Sequence, residues 1–280
     1  MINKIINKIK KKKWNEVLDR EVSALLFEQL DVSHKKKINV KSIDIKKWLR
    51  AGGLDEFITT NIHKKGLEFF FSYYILNVKK GDSVLDAAGG RSKYLEALRR
   101  ECGVDELYLS DHIYEGVQVV EHGISVVGGD VSNIHLDNES VDKIACHHAF
   151  EHFQESKDVA FIKEAYRLLK KRGVLVIIPL FLVNKYIECW NVTGSKHFDH
   201  NSCRLYDPTA SLPGGDDDGH FARLYDLDNF KSRILNIAKE CGFSYEIIEC
   251  EVDGFSVPDM VTNFGSMLNK PIRALTLTKN

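Results

Sequence analysis

Gly81-Asp82-Ser83-Val84-Leu85-Asp86-Ala87-Ala88-Gly89-Gly90-Arg91-Ser92-Lys93-Tyr94-Leu95 is the stretch that decides the fold. Ser83 to Ala87 carries the apolar density of a short buried strand, and Ala88 to Ser92 is a turn of small residues. From Lys93 the spacing of Leu95 and Leu98 predicts a helix. A strand, a tight turn and a helix N-terminus let a ligand approach the backbone and leave N–H groups free for a carboxylate. Asp86, at the strand's carboxyl end, sets a negative charge beside that turn. A ligand bearing both an amino group and a carboxylate suits such a place. Taken alone, the same turn also serves plain helix–strand packing in any doubly wound domain.

Downstream, strands and helices alternate. Glu106 to Ser110 reads as a second strand ending in Asp111, 25 positions after Asp86, where nucleotide-binding α/β domains hold a ribose by its hydroxyls. Ile124 to Val127 is a third strand closing in Gly128-Gly129-Asp130-Val131, with Asp130 placed to accept a hydrogen bond from an amino group such as that of adenine. Val141 to Cys146 is a fourth, followed by His147, His148 and a helix start at Glu151-His152. A helix over Val159–Leu169 stops at Lys170-Lys171-Arg172-Gly173, and Val174 to Pro179 is a fifth, strongly apolar strand. After a helix over Asp228–Cys241, Ser244 to Val252 and Ile272 to Thr278 supply two more. The pattern predicts a parallel sheet covered on both faces.

Upstream, Ile2, Ile5, Ile6 and Ile9 alternate with lysines as a short basic amphipathic segment, and Trp14, Val17, Leu18, Val22, Leu25, Leu26 and Leu30 mark one helical face. Val32 to Lys47 reads as a polar, lysine-rich connection or short-element region, and Ile58 to Leu76 as an apolar helix with aromatic residues crowded near its end. These predict a helical extension over 1–78 ahead of a domain over 79–280.

Composition bounds the function classes. Hydrophobic content of 44% with 28% charged residues is that of a globular chain, and a net charge of −1 gives no general reason to expect nucleic acid. The six cysteines lie far apart with no Cys-x-x-Cys pair, which points to reduced thiols in the cytoplasm rather than a disulfide framework. No run of about 18 apolar residues predicts a transmembrane helix, and the start lacks the apolar core of a signal peptide.

Together Val84-Leu85-Asp86 with the small-residue turn, Asp111, Gly129-Asp130, Ser140-Val141-Asp142, Glu151-His152 and Leu168-Leu169-Lys170 through Arg172-Gly173 to Pro179 resemble the class I S-adenosylmethionine-dependent methyltransferases, in their small-molecule branch. The resemblance implies a Rossmann-like, doubly wound, seven-stranded and mostly parallel sheet. It implies that Asp86, Ala88, Gly89 and Gly90 surround the methionine moiety, that Asp111 and its neighbour His112 hold the ribose, that Asp130 and Val131 flank the adenine, and that His147 offers backbone to the methionine amino group. The chain departs from the family's Asp-x-Gly-x-Gly-x-Gly turn. Ala88 takes the place of the first glycine and Ser92 that of the last, positions where a positive φ would strain a side chain.

Methyl transfer from a sulfonium is an in-line displacement with a good leaving group, so the protein's task is to align the acceptor and manage its proton. His148, His152 and Glu151, just past the fourth strand, are the candidate catalytic residues, His148 or His152 as general base. Insert 181–226 reads as a long irregular lid whose Trp190 and His197, together with His220 and Arg223, shape the acceptor site, with Arg223 gripping an anionic group. The expected acceptor is a hydroxyl, less readily an amine, on a small metabolite or a sugar-linked compound, including those of surface polysaccharides. Two other readings stay open: a cofactor-binding protein without catalysis, suggested by the lost glycines, and a zinc hydrolase, because His148-Ala149-Phe150-Glu151-His152 spells H-x-x-E-H.

Overall fold

Val84 points to one face of its strand and Leu85 to the other, and each meets a separate apolar cluster, so the strand lies between two helical layers. The computed structural model describes residues 31–58, 62–191, 199–206, 221–253, 260–261, 267–268 and 272–280. The basic segment at the start, the helical face from Trp14 to Leu30, and His197 and His220 lie outside them.

The elements run Lys35–Lys41 (β1), Ser42–Ala51 (α1), Lys64–Leu76 (α2), Ser83–Ala87 (β2), Tyr94–Cys102 (α3), Glu106–Ser110 (β3), Gln118–Glu121 (β4), Ile124–Val127 (β5) and Val141–His147 (β6). Lys157–Leu168 (α4) and Leu169–Ile178 (β7) follow, then Ile187–Trp190 (β8), Cys203–Tyr206 (β9) and Phe221–Leu224 (β10). Leu227–Phe230 (α5) passes through a π-helical turn, Lys231–Leu235, into Asn236–Cys241 (α6). Phe243–Asp253 (β11), the short pair Met260–Val261 (β12) and Met267–Leu268 (β13), and Ile272–Lys279 (β14) complete the set.

The main sheet has the order β1-β11-β14-β7-β6-β2-β3-β5-β4. Its centre, β5-β3-β2-β6-β7, is parallel throughout. β14 runs antiparallel to both β7 and β11. From β2 the chain first builds outward through β3 and β5, then returns to the other side with β6 and β7. The crevice at the carboxyl ends of β2 and β6 is therefore a topological switch point, where ligands of open α/β sheets bind. α1, α2 and α3 pack with Val84 on one face, and α4 and the 227–241 helical run pack with Leu85 on the other.

All seven expected strands are present, but the sheet has nine strands rather than seven. β4 and β1 extend its two edges. Gln118 to Glu121 is exposed along its whole length and β1 is lysine-rich with only Val40 buried, so neither shows the apolar alternation that marks a strand in sequence. β1 is held by parallel pairing with β11, so the polar stretch read as a connection or short element within the helical extension gives a strand to the main sheet.

The insert also differs from the irregular excursion expected. Its described part forms a three-stranded sheet, β10-β8-β9, and Phe181, Leu182, Val183 and Tyr186 to Trp190 are buried. A buried ion cluster ties this sheet to the domain. Arg223 on β10 donates to Glu188 Oε1 from Nε (3.1 Å) and Nη2 (2.8 Å), to the carbonyls of Phe153 (2.8 Å) and Glu155 (2.9 Å), and pairs with Asp158 at 3.0 Å. Arg233 donates to the same Asp158 oxygen at 2.6 Å, and the Tyr225 hydroxyl at 2.5 Å. Removing one partner of a buried pair strands the other charge. Arg223→Ala is expected to lower unfolding stability by about 3–5 kcal/mol, read as an earlier denaturant midpoint with an unchanged slope.

Candidate active site

Within the turn after β2, only Ala88 (φ 54°) and Gly90 (φ 57°) have a positive φ, so the strain expected of the alanine is present and that expected of Ser92 is not. Ser92 has its own work: its hydroxyl donates to Asp86 Oδ2 (2.7 Å) and accepts from the Tyr94 N–H (3.1 Å) at the start of α3. Gly89 is fixed by space. A Cβ there would stand 2.6 Å from Asp86 Oδ2 and 2.7 Å from Leu109 Cδ1.

Asp111 closes the other side of the turn. Its Oδ2 accepts from the Gly90 N–H (2.8 Å) and its Oδ1 from the Ile113 N–H (3.0 Å), with His112 Nδ1 at 3.1 Å from Oδ1. A carboxylate offers about four lone-pair sites, so the group retains acceptor capacity toward a diol. Asp86 and Asp111 thus border one cleft, joined through the same five-residue turn. Asp130 stands beside them, since the Gly129 N–H donates to the Asp111 carbonyl (3.2 Å). Its carboxylate already takes Ser132 (N–H at 2.9 Å, hydroxyl at 2.7 Å) and Lys157 (2.5 Å), while Val131 is buried.

His147 ends β6. Its Nδ1 meets Asp86 Oδ1 at 3.1 Å, bridging the two strands of the switch point, and its ring lies edge-on to Tyr94 (4.5 Å) and Phe69 (5.0 Å). Its Nε2 is buried without a hydrogen-bond partner, and its carbonyl receives Lys65 Nζ at 3.4 Å.

The next residues form the second half of the site. His148 has a φ of 51°, uncommon for a non-glycine residue, and is anchored by its N–H to the Ile178 carbonyl (2.9 Å). Its Nδ1 meets Glu68 Oε1 on α2 at 3.2 Å, and its Nε2 stands 3.5 Å from Glu151 Oε1. His152 Nδ1 meets the Phe221 carbonyl at 2.6 Å, and its Nε2 stands 3.6 Å from the same Glu151 oxygen. Glu151 is 2% exposed and neither of its oxygens has a hydrogen bond. A small cavity walled by Phe150, Pro179, Leu180, Phe181 and Tyr225 opens beside it. Burial pushes the His148 imidazole down, but the carboxylates of Glu151 and Glu68 outweigh it and hold its pKa above the ordinary value. Burial would raise Glu68, yet Lys65 Nζ (3.4 Å) and His148 outweigh that and carry it down to about 2.

His148, His152 and Glu151 are therefore brought together as expected, and Glu68 and Lys65 are the partners that sequence reasoning missed. The available signal was a carboxylate inside Leu67-Glu68-Phe69-Phe70-Phe71, an apolar run that has no reason to bury a charge. Arg223 corrects another expectation. Its guanidinium is fully buried and taken by the ion cluster, so it is not free to grip an anionic acceptor. Trp190 is buried on β8 against Phe221 (4.9 Å) rather than facing an open site. The zinc reading needed a long helix through 148–152. That stretch instead follows the end of β6 at His147 and holds a 3-10 turn, Phe150–His152, and no cluster of three or more metal ligands occurs among the described residues.

The cleft fits an adenosyl amino acid. Residue 89 has no room for a side chain, the strand-end carboxylate Asp111 keeps acceptor capacity, and the buried Nε2 of His147 is orphaned. Gly89→Ala is expected to weaken S-adenosylhomocysteine binding at least about tenfold while costing about 1–3 kcal/mol of stability from overpacking. Calorimetric titration beside a denaturation curve checks it.

One sequence family and several solved structures are similar to parts of this chain. Residues 85–177 match the sequence model of a family described as methyltransferase domain. No curated protein matches. Among solved structures, a chain of the complex built around the Haloferax volcanii Trm112 methyltransferase activator aligns at 15% identity over 84% of this chain and 97% of its own, with a TM-score of 0.48. The YcgJ protein of Bacillus subtilis aligns at 14% over 76% and 98%, with a TM-score of 0.45. The Burkholderia thailandensis 1,6-didemethyltoxoflavin-N1-methyltransferase, with S-adenosylhomocysteine bound, aligns at 12% over 85% and 88%, with a TM-score of 0.45. The matched segment spans the strand-end motifs from Leu85 to Ile177, a third of the chain, and over that length the chain is similar to a methyltransferase domain.

Proposed function

We propose that this enzyme methylates a hydroxyl, and less readily an amine, of a small metabolite or sugar-linked compound in the cytoplasm. The observation that carries the reading is the convergence of two imidazole Nε2 atoms, at 3.5 and 3.6 Å, on the buried carboxylate of Glu151. A hydroxyl is a weak nucleophile until its proton is drawn off, whereas a neutral amine attacks without prior deprotonation. A paired base beside a carboxylate serves the first case. The bound cofactor supplies the methyl group on a positively charged sulfur.

The chain's own residues do the rest. Asp111 accepts from the two ribose hydroxyls, with His112 beside it. The Ala88–Ser92 turn and the N–H groups of Leu95 and Glu96 in the first turn of α3 would receive the methionine carboxylate, and Asp86 holds the turn through Ser92. Asp130 and Val131 flank the adenine, and the backbone at His147 faces the methionine amino group. His148 or His152 takes the acceptor's proton on Nε2, and Glu151 stabilises the imidazolium that forms. The described strands of the insert, β8, β9 and β10, border the acceptor side from a base anchored by the Arg223 ion cluster. A sugar hydroxyl bound for a surface polysaccharide is the most specific form of the reading, and it takes its support from the family resemblance.

Turnover of radiolabelled cofactor against pooled hydroxyl and amino acceptors tests the reading. Methylation confined to amines would overturn the hydroxyl assignment. His148→Ala or His152→Ala is expected to lower kcat about 10²–10⁴-fold with little change in S-adenosylhomocysteine affinity. Because the two carboxylates hold His148 protonated to higher pH than an ordinary histidine, activity is expected to be lost below that raised pKa and to rise as pH passes through it.

A further inference from the structure

We propose that Glu68, on the helix preceding the central turn, is a positioning residue for methyl transfer: it fixes Nδ1 of His148 as the protonated nitrogen, so that the lone pair awaiting the acceptor's proton lies on Nε2. The proposal rests on the reading of His148 as the base.

The geometry is restrictive. Glu68 is fully buried and its Oε1 lies 3.2 Å from His148 Nδ1. An ionised carboxylate only accepts hydrogen bonds, so the hydrogen must sit on Nδ1, and in the neutral ring Nε2 is then the acceptor. That Nε2 stands 3.5 Å from Glu151 Oε1, longer than a hydrogen bond, which leaves room for a proton to arrive. His152 is set the same way, because the Phe221 carbonyl at 2.6 Å accepts only from an Nδ1–H. Both imidazoles thus turn their basic atoms to one carboxylate, each held from behind by an acceptor-only group. The charged and titratable groups facing His148 are Glu68 and Lys65 from α2, and Glu151 and His152 from the turn after β6, while Phe181 packs edge-on to its ring at 5.9 Å. Lys65 alone does not account for Glu68, since its Nζ is 32% exposed at the side chain and reaches the other oxygen, Oε2. The oxygen turned to His148 is set for the imidazole.

Long-range proton–nitrogen spectra of the full chain labelled with nitrogen-15 histidine, with His148 assigned through His148→Gln, read the tautomer directly. The expected result is an Nδ1–H form in the parent that is lost or mixed in Glu68→Gln. With it, the acid limb of kcat/KM moves to lower pH, because a negative neighbour has gone, kcat falls at least about tenfold, and S-adenosylhomocysteine affinity is unchanged. Glu68→Asp, which keeps the charge, is expected to keep the limb near that of the parent. An Nε2–H form in the parent, or a Glu68→Gln profile that superimposes on the parent's, overturns the proposal. Full turnover in His148→Ala would instead remove the base reading, and the tautomer result would stand apart from it.

Discussion

The contact between Asp86 and His147 is the constraint on which the site depends. At 3.1 Å it joins the carboxyl ends of β2 and β6, the two strands between which the chain reverses its direction of winding. A parallel sheet leaves its strand-end groups pointing into that crevice, and a buried carboxylate there must find a donor or cost several kcal/mol. Ser92 and His147 supply those donors. By doing so they hold the turn on one side and the start of the His148–His152 segment on the other, so these two segments share one support.

Two residues with strained backbone flank this support. Ala88 and His148, both with φ above 50°, sit at the carboxyl ends of the strands they follow. Such conformations persist when surrounding contacts over-determine them. Gly89 is pressed between Asp86 and Leu109, and the His148 N–H is fixed to the neighbouring strand at Ile178. The helix α2 is equally committed: Phe69 packs on His147, Glu68 pairs with His148, and Lys65 reaches the His147 carbonyl. Residues before the central turn thus touch both His147 and His148.

The ion cluster under the insert shows how sequence position misleads about role. Arg223 follows a glycine- and aspartate-rich stretch and looks like a surface cation, yet all its contacts are internal and its neighbours Glu188 and Asp158 are fully buried. The cue that an arginine is structural is a set of carboxylates and carbonyls converging from distant parts of the chain, here from β8, α4 and the turn before it. None of that is visible along a single line of residues.

The amino-acid sequence by itself determined the seven strands of the domain, the turn at Ala88–Ser92 and the strand-end carboxylates Asp86 and Asp111, because each follows from local periodicity and short spacing. The edge strands β1 and β4 and the small sheet of the insert escaped it: lysine-rich β1 is held by β11 far along the chain, β4 is exposed along its length and joins as a hairpin with the adjacent β5, and β8 draws its partners β9 and β10 from further along the insert. Only the tertiary structure decided that Glu68 stands behind His148, 80 residues on, and that Arg223 turns inward. A residue's chemistry is written in its side chain, but its charge state and direction depend on neighbours that folding alone brings within a few ångströms.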